Sequence, residues 1–177
     1  MNIVFHPARM CLQNALISFA EAGRARPDKY GGHLLSAASF AHGMLAIVGM
    51  QVGGDDGTIT ADDLALFWPA AVELIAASET GLCWYIDDAV ECAMHCACTD
   101  EWEDVCIART AIQLVLTSCP EAGGLFGREE YELLADMDET LRSQAAFVDS
   151  LPEPGISANI PADHWWWRLP TPDEDAD

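Results

Sequence analysis

Apolar residues recur three and four positions apart along most of this chain. This spacing is that of one face of an α-helix, which has 3.6 residues per turn. The most regular run is formed by Leu134, Met137, Leu141, Ala145 and Val148. No segment of useful length alternates apolar and polar residues with the period of two that a half-buried strand requires. The chain is therefore predicted to be all-α.

Proline, glycine and capping residues divide this pattern into separate helices. The first helix is predicted over residues 7–22 and the second over residues 33–51, which are apolar on nearly every side. Thr60 and Asp63 form the capping pair expected at the start of a third helix. Pro69 lies inside that helix and is predicted to kink it or to restart it one turn in.

The remaining helices are defined by their apolar stripes. Those of the fourth and fifth helices are Leu82, Ile86, Ala89, Ala93 and Cys96, and Val105, Ala108, Ile112, Val115 and Leu116. The sixth helix is predicted over residues 128–151, with Asp138 and Arg142 on its outer face. The expected architecture is a compact bundle of five or six helices within residues 1–151.

Residues 152–177 are predicted to form an irregular tail or strap with a disordered acidic end. Five prolines in this segment exclude a regular helix. The segment also contains three consecutive tryptophans, residues 165–167, whose indoles cannot all face one way. Two interpretations stay open. One or two rings pack into a groove of the bundle, or Trp165 and Trp166 anchor a partner protein.

Negative charge restricts the function more than any motif does. The chain has 29 acidic and 8 basic residues, which gives a formal net charge of -21. Such a field repels phosphate, so direct binding to nucleic acid or to an anionic membrane is excluded as the main activity. Residues 1–54 carry only two acidic and four basic side chains. This nearly neutral part predicts a buried or self-associating side, and a homodimer through it is one expectation.

The cysteines and the apolar segments predict a cytoplasmic protein. The longest uncharged stretch, residues 31–54, contains two histidines and many small residues, and therefore matches a central helix better than a membrane span. The first residues show no basic region followed by a continuous apolar stretch, which argues against secretion. Seven cysteines cannot all pair within one chain, so reduced thiols are expected.

One loop resembles part of a calcium site. Residues 55–63 are similar to the second half of an EF-hand loop at Asp56, Gly57, Ile59 and Asp63. The loop departs from that family at the first and third ligand positions, because Val52 and Gly54 offer no carboxylate. A turn that leads into a capped helix is the preferred interpretation.

A second segment contains the residue types of a zinc site. Cys92, His95, Cys96 and Cys98 are predicted to share one helix, on which Cys96 points to the apolar side and Cys98 nearly opposite. Core filling by the cysteines is therefore expected, with no metal and no cofactor. An enzyme or small metal protein that uses His95 with Glu91 and Asp88 stays the alternative.

Carboxylates are concentrated on two predicted outer faces, within residues 87–104 and 129–139. No nucleophile or oxyanion loop accompanies them, so a non-enzymatic role is expected. Carboxylates spaced along helices can present charge as nucleic-acid phosphates do, and can occupy the basic groove of a nucleic-acid-binding protein. In charge and size the chain resembles DNA-mimic inhibitors, which include anti-restriction and anti-CRISPR proteins, and nuclease immunity proteins.

The predicted function is therefore that of a cytoplasmic inhibitor of a basic protein, such as a nuclease or another nucleic-acid-binding protein. The residues expected to contact this partner are Asp87, Asp88, Glu91, Asp100, Glu101, Glu103, Asp104, Glu129, Glu132, Asp136, Glu139, Trp165 and Trp166. A scaffold subunit that self-associates through its neutral N-terminal half is the further alternative.

Overall fold

The computed structural model describes residues 8–24, 32–52, 59–78, 81–96, 98–118, 124–145 and 157–168. Within these ranges the chain forms six α-helices and a 3₁₀ turn at Trp165–Trp167, and it forms no strand. The helices are α1 (Ala8–Arg24), α2 (Gly32–Val52), α3 (Ala61–Ala76), α4 (Gly81–His95), α5 (Thr99–Ser118) and α6 (Arg128–Gln144). The prediction of an all-α bundle is confirmed.

Helices α2 and α5 form the centre of the bundle. α2 packs against α1, α4 and α5, and α5 also packs against α4 and the 3₁₀ turn. Phe40 and Met44 of α2 and Trp102 and Ile112 of α5 are fully buried. The outer helices join this pair, since α3 packs on α1 and α6 packs on α4. The uncharged stretch of the sequence is therefore the central helix that its composition predicts.

Thr60 begins α3 as its sequence predicts. Its hydroxyl accepts a hydrogen bond from the backbone N–H of Asp63 at 3.1 Å, and the Asp63 carboxylate accepts one from the backbone N–H of Thr60 at 2.9 Å. This capping box satisfies amide groups that have no partner within the helix. The hydrogen bonds from Thr60 hold the pKa of the Asp63 carboxyl below its ordinary value.

The structure differs, in whole or in part, from three expectations about the helices. α3 continues through Pro69 without a restart, because buried residues on both sides of the proline, among them Phe67 and Ile75, fix it to the core. α6 ends at Gln144, and the rest of the predicted helix lies outside the described residues. α4 ends at His95, so the cysteines around it do not share one helix.

Gly43 allows α1 and α2 to approach each other closely. A Cβ atom at Gly43 would lie 2.5 Å from Cε1 of the Phe19 ring, which is far inside van der Waals contact. Phe19 is fully buried, and its ring centroid lies 5.4 Å from that of Phe40. The ring therefore has little room to move aside.

We expect Gly43→Ala to lower the free energy of unfolding by about 1–3 kcal/mol, because overpacking a filled core displaces its side chains. Gly23→Ala is the matched control, since a Cβ there would meet Ala77 at an ordinary 3.7 Å. The control should equal the wild type or exceed it by up to about 1 kcal/mol, because alanine has the higher helix propensity. Chemical denaturation followed by circular dichroism measures both variants. Equal stabilities of the two would contradict the close helix contact.

Candidate functional site

The three predicted carboxylates of α4 lie on its outer side. Asp87, Asp88 and Glu91 are exposed, while Ala89 and Val90 between them are buried in the core. The sequence separation of one, three and four residues places the carboxylates on one face of the helix. Their charges therefore face solvent together.

The predicted carboxylates of α5 and α6 are also mostly accessible. On α5, Glu101 and Asp104 are exposed and Glu103 is half-buried, and the side chain of Asp100 lies outside the described residues. On α6 the four predicted positions are exposed: Glu129, Glu132, Asp136 and Glu139. Arg128 forms an ion pair with Glu132, in which the Arg128 Nε–H donates to Glu132 Oε1 at 2.7 Å. An exposed pair of this kind contributes little stability.

The thiol of Cys92 shows that carboxylates of α4 and α5 lie near one another. Its pKa is raised first by partial desolvation and then by the negative charges of Asp88, Glu91, Asp104 and Glu101. A negative neighbour disfavours the thiolate, so these four carboxylates lie within electrostatic reach of the thiol. One side chain of α4 is thus close to acidic residues from two helices.

The thiol of Cys83 likewise lies near carboxylates of both α4 and α6. Burial raises its pKa most, and Glu129, Glu130 and Asp87 raise it further. Two of these carboxylates belong to the first turn of α6 and one to α4. Carboxylates of α4 are therefore near those of α5 at Cys92 and near those of α6 at Cys83, and together they make up one set. We call it the acidic face and define it as Asp87, Asp88, Glu91, Glu101, Asp104, Glu129 and Glu130.

A groove between α2 and α4 opens within the acidic face. Its volume is about 510 Å³. Small residues form its floor: Ala37, Ala38 and Ala41 of α2 and Gly81 of α4. Its walls carry Trp84, Tyr85 and the three carboxylates of α4. The indole of Trp84 is 48% exposed, so the groove combines an accessible aromatic surface with negative charge.

The C-terminal tryptophans lie away from this groove, in a segment that closes the core. We call residues 157–168 the strap. Trp166 and Trp167 are only 2% and 5% exposed, and Trp165 is half-buried. The prediction that Trp166 contacts a partner does not agree with this burial, because its ring is enclosed by the bundle. The alternative interpretation, in which the rings pack into the bundle, describes the structure.

The hydroxyl of Thr110 on α5 holds the strap in place. The indole N–H groups of Trp166 and Trp167 donate to Thr110 Oγ1 at 3.0 and 2.8 Å. Thr110 is fully buried, so no water competes for these bonds. The backbone oxygen of Trp166 in turn accepts hydrogen bonds from Trp102 Nε1 at 3.2 Å and from Cys106 Sγ at 3.1 Å.

The same hydroxyl also lies near His164. A hydroxyl has two lone pairs and one proton, and both lone pairs of Thr110 accept indole N–H groups. Its proton is therefore available to His164 Nδ1, which lies 3.4 Å away. Burial lowers the pKa of His164, Asp163 opposes this shift, and Arg109 and Arg168 add to it.

Arg109 connects the strap with α6. Its buried guanidinium lies 4.5 Å over the Trp166 ring and donates to both carboxylate oxygens of Asp138, at 2.7 and 3.2 Å. Placing Asp138 on the outer face of α6 was wrong, since a buried arginine requires a paired carboxylate. Arg109, Thr110 and His164 were not identified from the sequence. Arg109 had a detectable signal, because it occupies a position of the apolar stripe between Val105 and Ile112.

We expect Thr110→Val to lower the free energy of unfolding by about 2–4 kcal/mol, because two buried indole donors lose their acceptor. Thr117→Val is the matched control on the same helix. Thr117 is exposed and its hydroxyl bonds to Gln113 O of its own helix, so the loss should stay within about 0.5 kcal/mol. Urea denaturation measures both. A similar small loss in the two variants would contradict the role of Thr110.

Stability is expected to fall as the pH is lowered through the pKa of His164. This pKa is below 6.5 in the folded protein and about 6.5 in the unfolded chain. The unfolded state therefore binds more protons between these values, and the stability present above the unfolded pKa is lost as pH falls through the folded pKa.

His164→Asn supplies an acceptor that does not titrate, and thereby isolates this contribution. The wild type should be the more stable protein near pH 7.5, and its advantage should shrink as pH falls to about 5. Denaturant titrations of both proteins over this range give the difference. An advantage that does not change with pH would show that the imidazole titrates normally.

The residues considered for metal chemistry do not converge. Cys96 is buried and Cys98 is exposed, and His95 is exposed at the end of α4. Across the ranges that the structure describes, no group of three or more His, Cys, Asp and Glu side chains could hold a metal ion. Residues 53–58 of the EF-hand-like loop lie outside those ranges. Asp63, its proposed last ligand, is engaged in the capping box of α3.

Several exposed apolar side chains lie on the nearly neutral half of the chain. They are Met10, Ile17 and Leu45, on α1 and α2. No contact within the described residues indicates what would cover them, so self-association through this half stays a prediction. Among all the residues that the structure describes, no helix has both the length and the apolar character needed to span a membrane.

Comparison of the chain with protein-family models, curated proteins and solved structures found no match. A function therefore has to be argued from the charge and geometry of this chain. The acidic face and the groove inside it are the features that present unusual chemistry to solvent.

Proposed function

We propose that this protein binds a basic protein partner through its acidic face and thereby blocks the partner's nucleic-acid-binding surface. The observation that supports this most is the position of Asp87, Asp88 and Glu91 on one exposed face of α4. Carboxylates of α5 lie near Cys92 of the same helix, and carboxylates of α6 lie near Cys83. A surface that binds phosphates is rich in lysine and arginine. A rigid helical surface with several carboxylates complements it in charge.

Within the described residues, no basic side chain forms an ion pair with the carboxylates of the groove. The ion pairs recorded among the described residues join Arg9 to Asp63, Arg109 to Asp138 and Arg128 to Glu132. None of them includes Asp87, Asp88 or Glu91. These three negative charges stand within two turns of one helix, so their mutual repulsion is relieved when a cationic surface approaches.

The small free energy of each exposed ion pair explains why binding of a partner needs a whole face of carboxylates. An exposed ion pair contributes about 0–1 kcal/mol, and a micromolar complex requires about 8 kcal/mol. Several pairs, together with apolar contacts at the centre, are therefore required. Complementary potentials also accelerate association, and this effect weakens as salt is added.

The chemistry of a DNA-mimic inhibitor matches these properties, as does that of a nuclease immunity protein. Both classes act by occupying a cationic site and require no catalytic group. We assign this protein to that kind of function, without an enzymatic step. Trp165 is half-buried beneath Arg142, whose guanidinium lies 4.7 Å over its ring, and Trp166 is enclosed, so neither tryptophan carries the proposal.

We place this activity in the cytoplasm because the fold uses reduced thiols. All six cysteines that the structure describes are free. Cys106 donates its S–H to the Trp166 carbonyl, which a disulfide sulfur cannot do. Burial and neighbouring groups raise the pKa of Cys96 to about 11, which disfavours its reactive thiolate.

Affinity capture from the native host tests the proposal. The protein is immobilised, and captured proteins are identified by mass spectrometry at about 0.1 M and about 0.5 M salt. We expect a basic nucleic-acid-binding protein at low salt, a strong decrease at high salt, and displacement by the nucleic acid that the partner binds. Capture that ignores both salt and nucleic acid would contradict the proposal.

Two variants with equal charge change separate the acidic face from net charge. Asp87→Asn, Asp88→Asn and Glu91→Gln together remove three charges from the face. Glu21→Gln, Asp62→Asn and Glu73→Gln remove three exposed charges from α1 and α3. We expect the first variant to lose at least about tenfold in affinity and the second to lose about twofold or less. Equal losses would show that only the total charge matters.

A further inference from the structure

We propose that the groove between α2 and α4 receives an arginine side chain of the partner. This inference depends on the proposed function and extends it, because it names the residue type that the partner inserts and the place where it binds. The argument rests on the shape of the groove, on the aromatic wall and on the position of the carboxylates.

The groove is formed because small residues line it where α2 and α4 meet. Ala37, Ala38 and Ala41 leave a shallow floor on α2. Gly81 begins α4 close to α2, since a Cβ atom there would lie 2.6 Å from the Phe40 ring. The resulting volume of about 510 Å³ accommodates a long side chain together with part of the backbone that carries it.

The walls present the two kinds of group that a guanidinium binds. Trp84 is followed by carboxylates three, four and seven residues later, so the indole and the carboxylates share one face of α4. A guanidinium can stack on an indole and at the same time donate its in-plane N–H groups to carboxylates. A lysine ammonium lacks both the plane and the paired donors. The groove therefore favours arginine over lysine.

The core of the same protein contains this combination in a completed form. Arg109 lies 4.5 Å over the ring of Trp166 and donates to Asp138 at 2.7 Å. Arg142 lies 4.7 Å over the ring of Trp165. In both cases the arginine covers an indole, and in the first a carboxylate fixes its donors. The groove presents the same two kinds of group, an indole and carboxylates, at its walls.

Other occupants fit the groove less well. An anion is repelled by Asp87, Asp88 and Glu91. An apolar helix would have to desolvate these three carboxylates without pairing them, which is costly. Tyr85 adds no charge, because burial and then Asp88 raise the pKa of its phenol. A cationic side chain with a flat apolar face satisfies both the charge and the aromatic wall.

A short arginine peptide is the probe for this site. Acetyl-Arg-Arg-Arg-amide and its lysine counterpart are titrated into ¹⁵N-labelled protein, and Trp84→Phe assigns the indole N–H signal of Trp84. We expect saturable shifts at this indole and at the amides of residues 81–91. The lysine peptide should bind at least about fivefold more weakly, because it cannot stack and pair at once.

A substitution that fills the groove without changing charge provides the decisive variant. Ala38 is exposed on the groove floor, so Ala38→Phe should block the groove and leave the fold intact. Ala65 is exposed on α3, and Ala65→Phe is the matched control. We expect Ala38→Phe to weaken binding of the arginine peptide at least about tenfold and the control to leave it unchanged. Circular dichroism verifies that both variants fold.

The outcomes distinguish this inference from the proposed function. If Ala38→Phe binds the arginine peptide as the wild type does, or if arginine and lysine peptides bind equally, the groove is not the arginine site. The acidic face can then still bind a basic partner by charge alone. If host capture yields no basic, salt-sensitive partner, the proposed function fails, whatever the peptide does.

Discussion

The hydroxyl of Thr110 is the contact on which the arrangement of this protein depends. It lies at the middle of the central helix α5 and joins the strap to the bundle through two indole N–H groups. The strap covers the side of α5 that carries Cys106 and Trp102. The strap therefore closes this side of α5 with residues of the chain itself.

The contacts of the strap with the bundle also involve two of the chain's few basic residues. Among only eight basic residues, Arg109 is buried beside Asp138 and Arg142 covers Trp165. Both arginines therefore serve the attachment of the strap. The groove carboxylates of α4 have no basic partner among the described residues. Since Arg109 and Arg142 are used at the strap, they do not offset the negative charge of the groove.

The sequence predicted the elements of the fold well because helical stripes are local patterns. The stripes of α4 and α5 fall on buried residues such as Ile86 and Ile112, and the Thr60 cap was foreseen. Predictions failed where packing between distant segments decides, as at Trp166 and Asp138. The groove was missed because alanines on a central helix look like core residues. Only the contact between α2 and α4 shows that they line a cavity.

In the proposed complex, charge and groove act at different distances and therefore on different steps of binding. The field of the acidic face acts over about 8 Å at physiological salt, so it steers encounter and raises the association rate. Stacking on Trp84 and pairing with Asp88 act at contact, where they slow dissociation. A face with charge alone would attract every basic protein. The groove adds a requirement for shape, because a guanidinium must enter between two helices before its charge is fully paired. Under this proposal, selectivity among basic partners would arise from the alanine floor that admits that side chain.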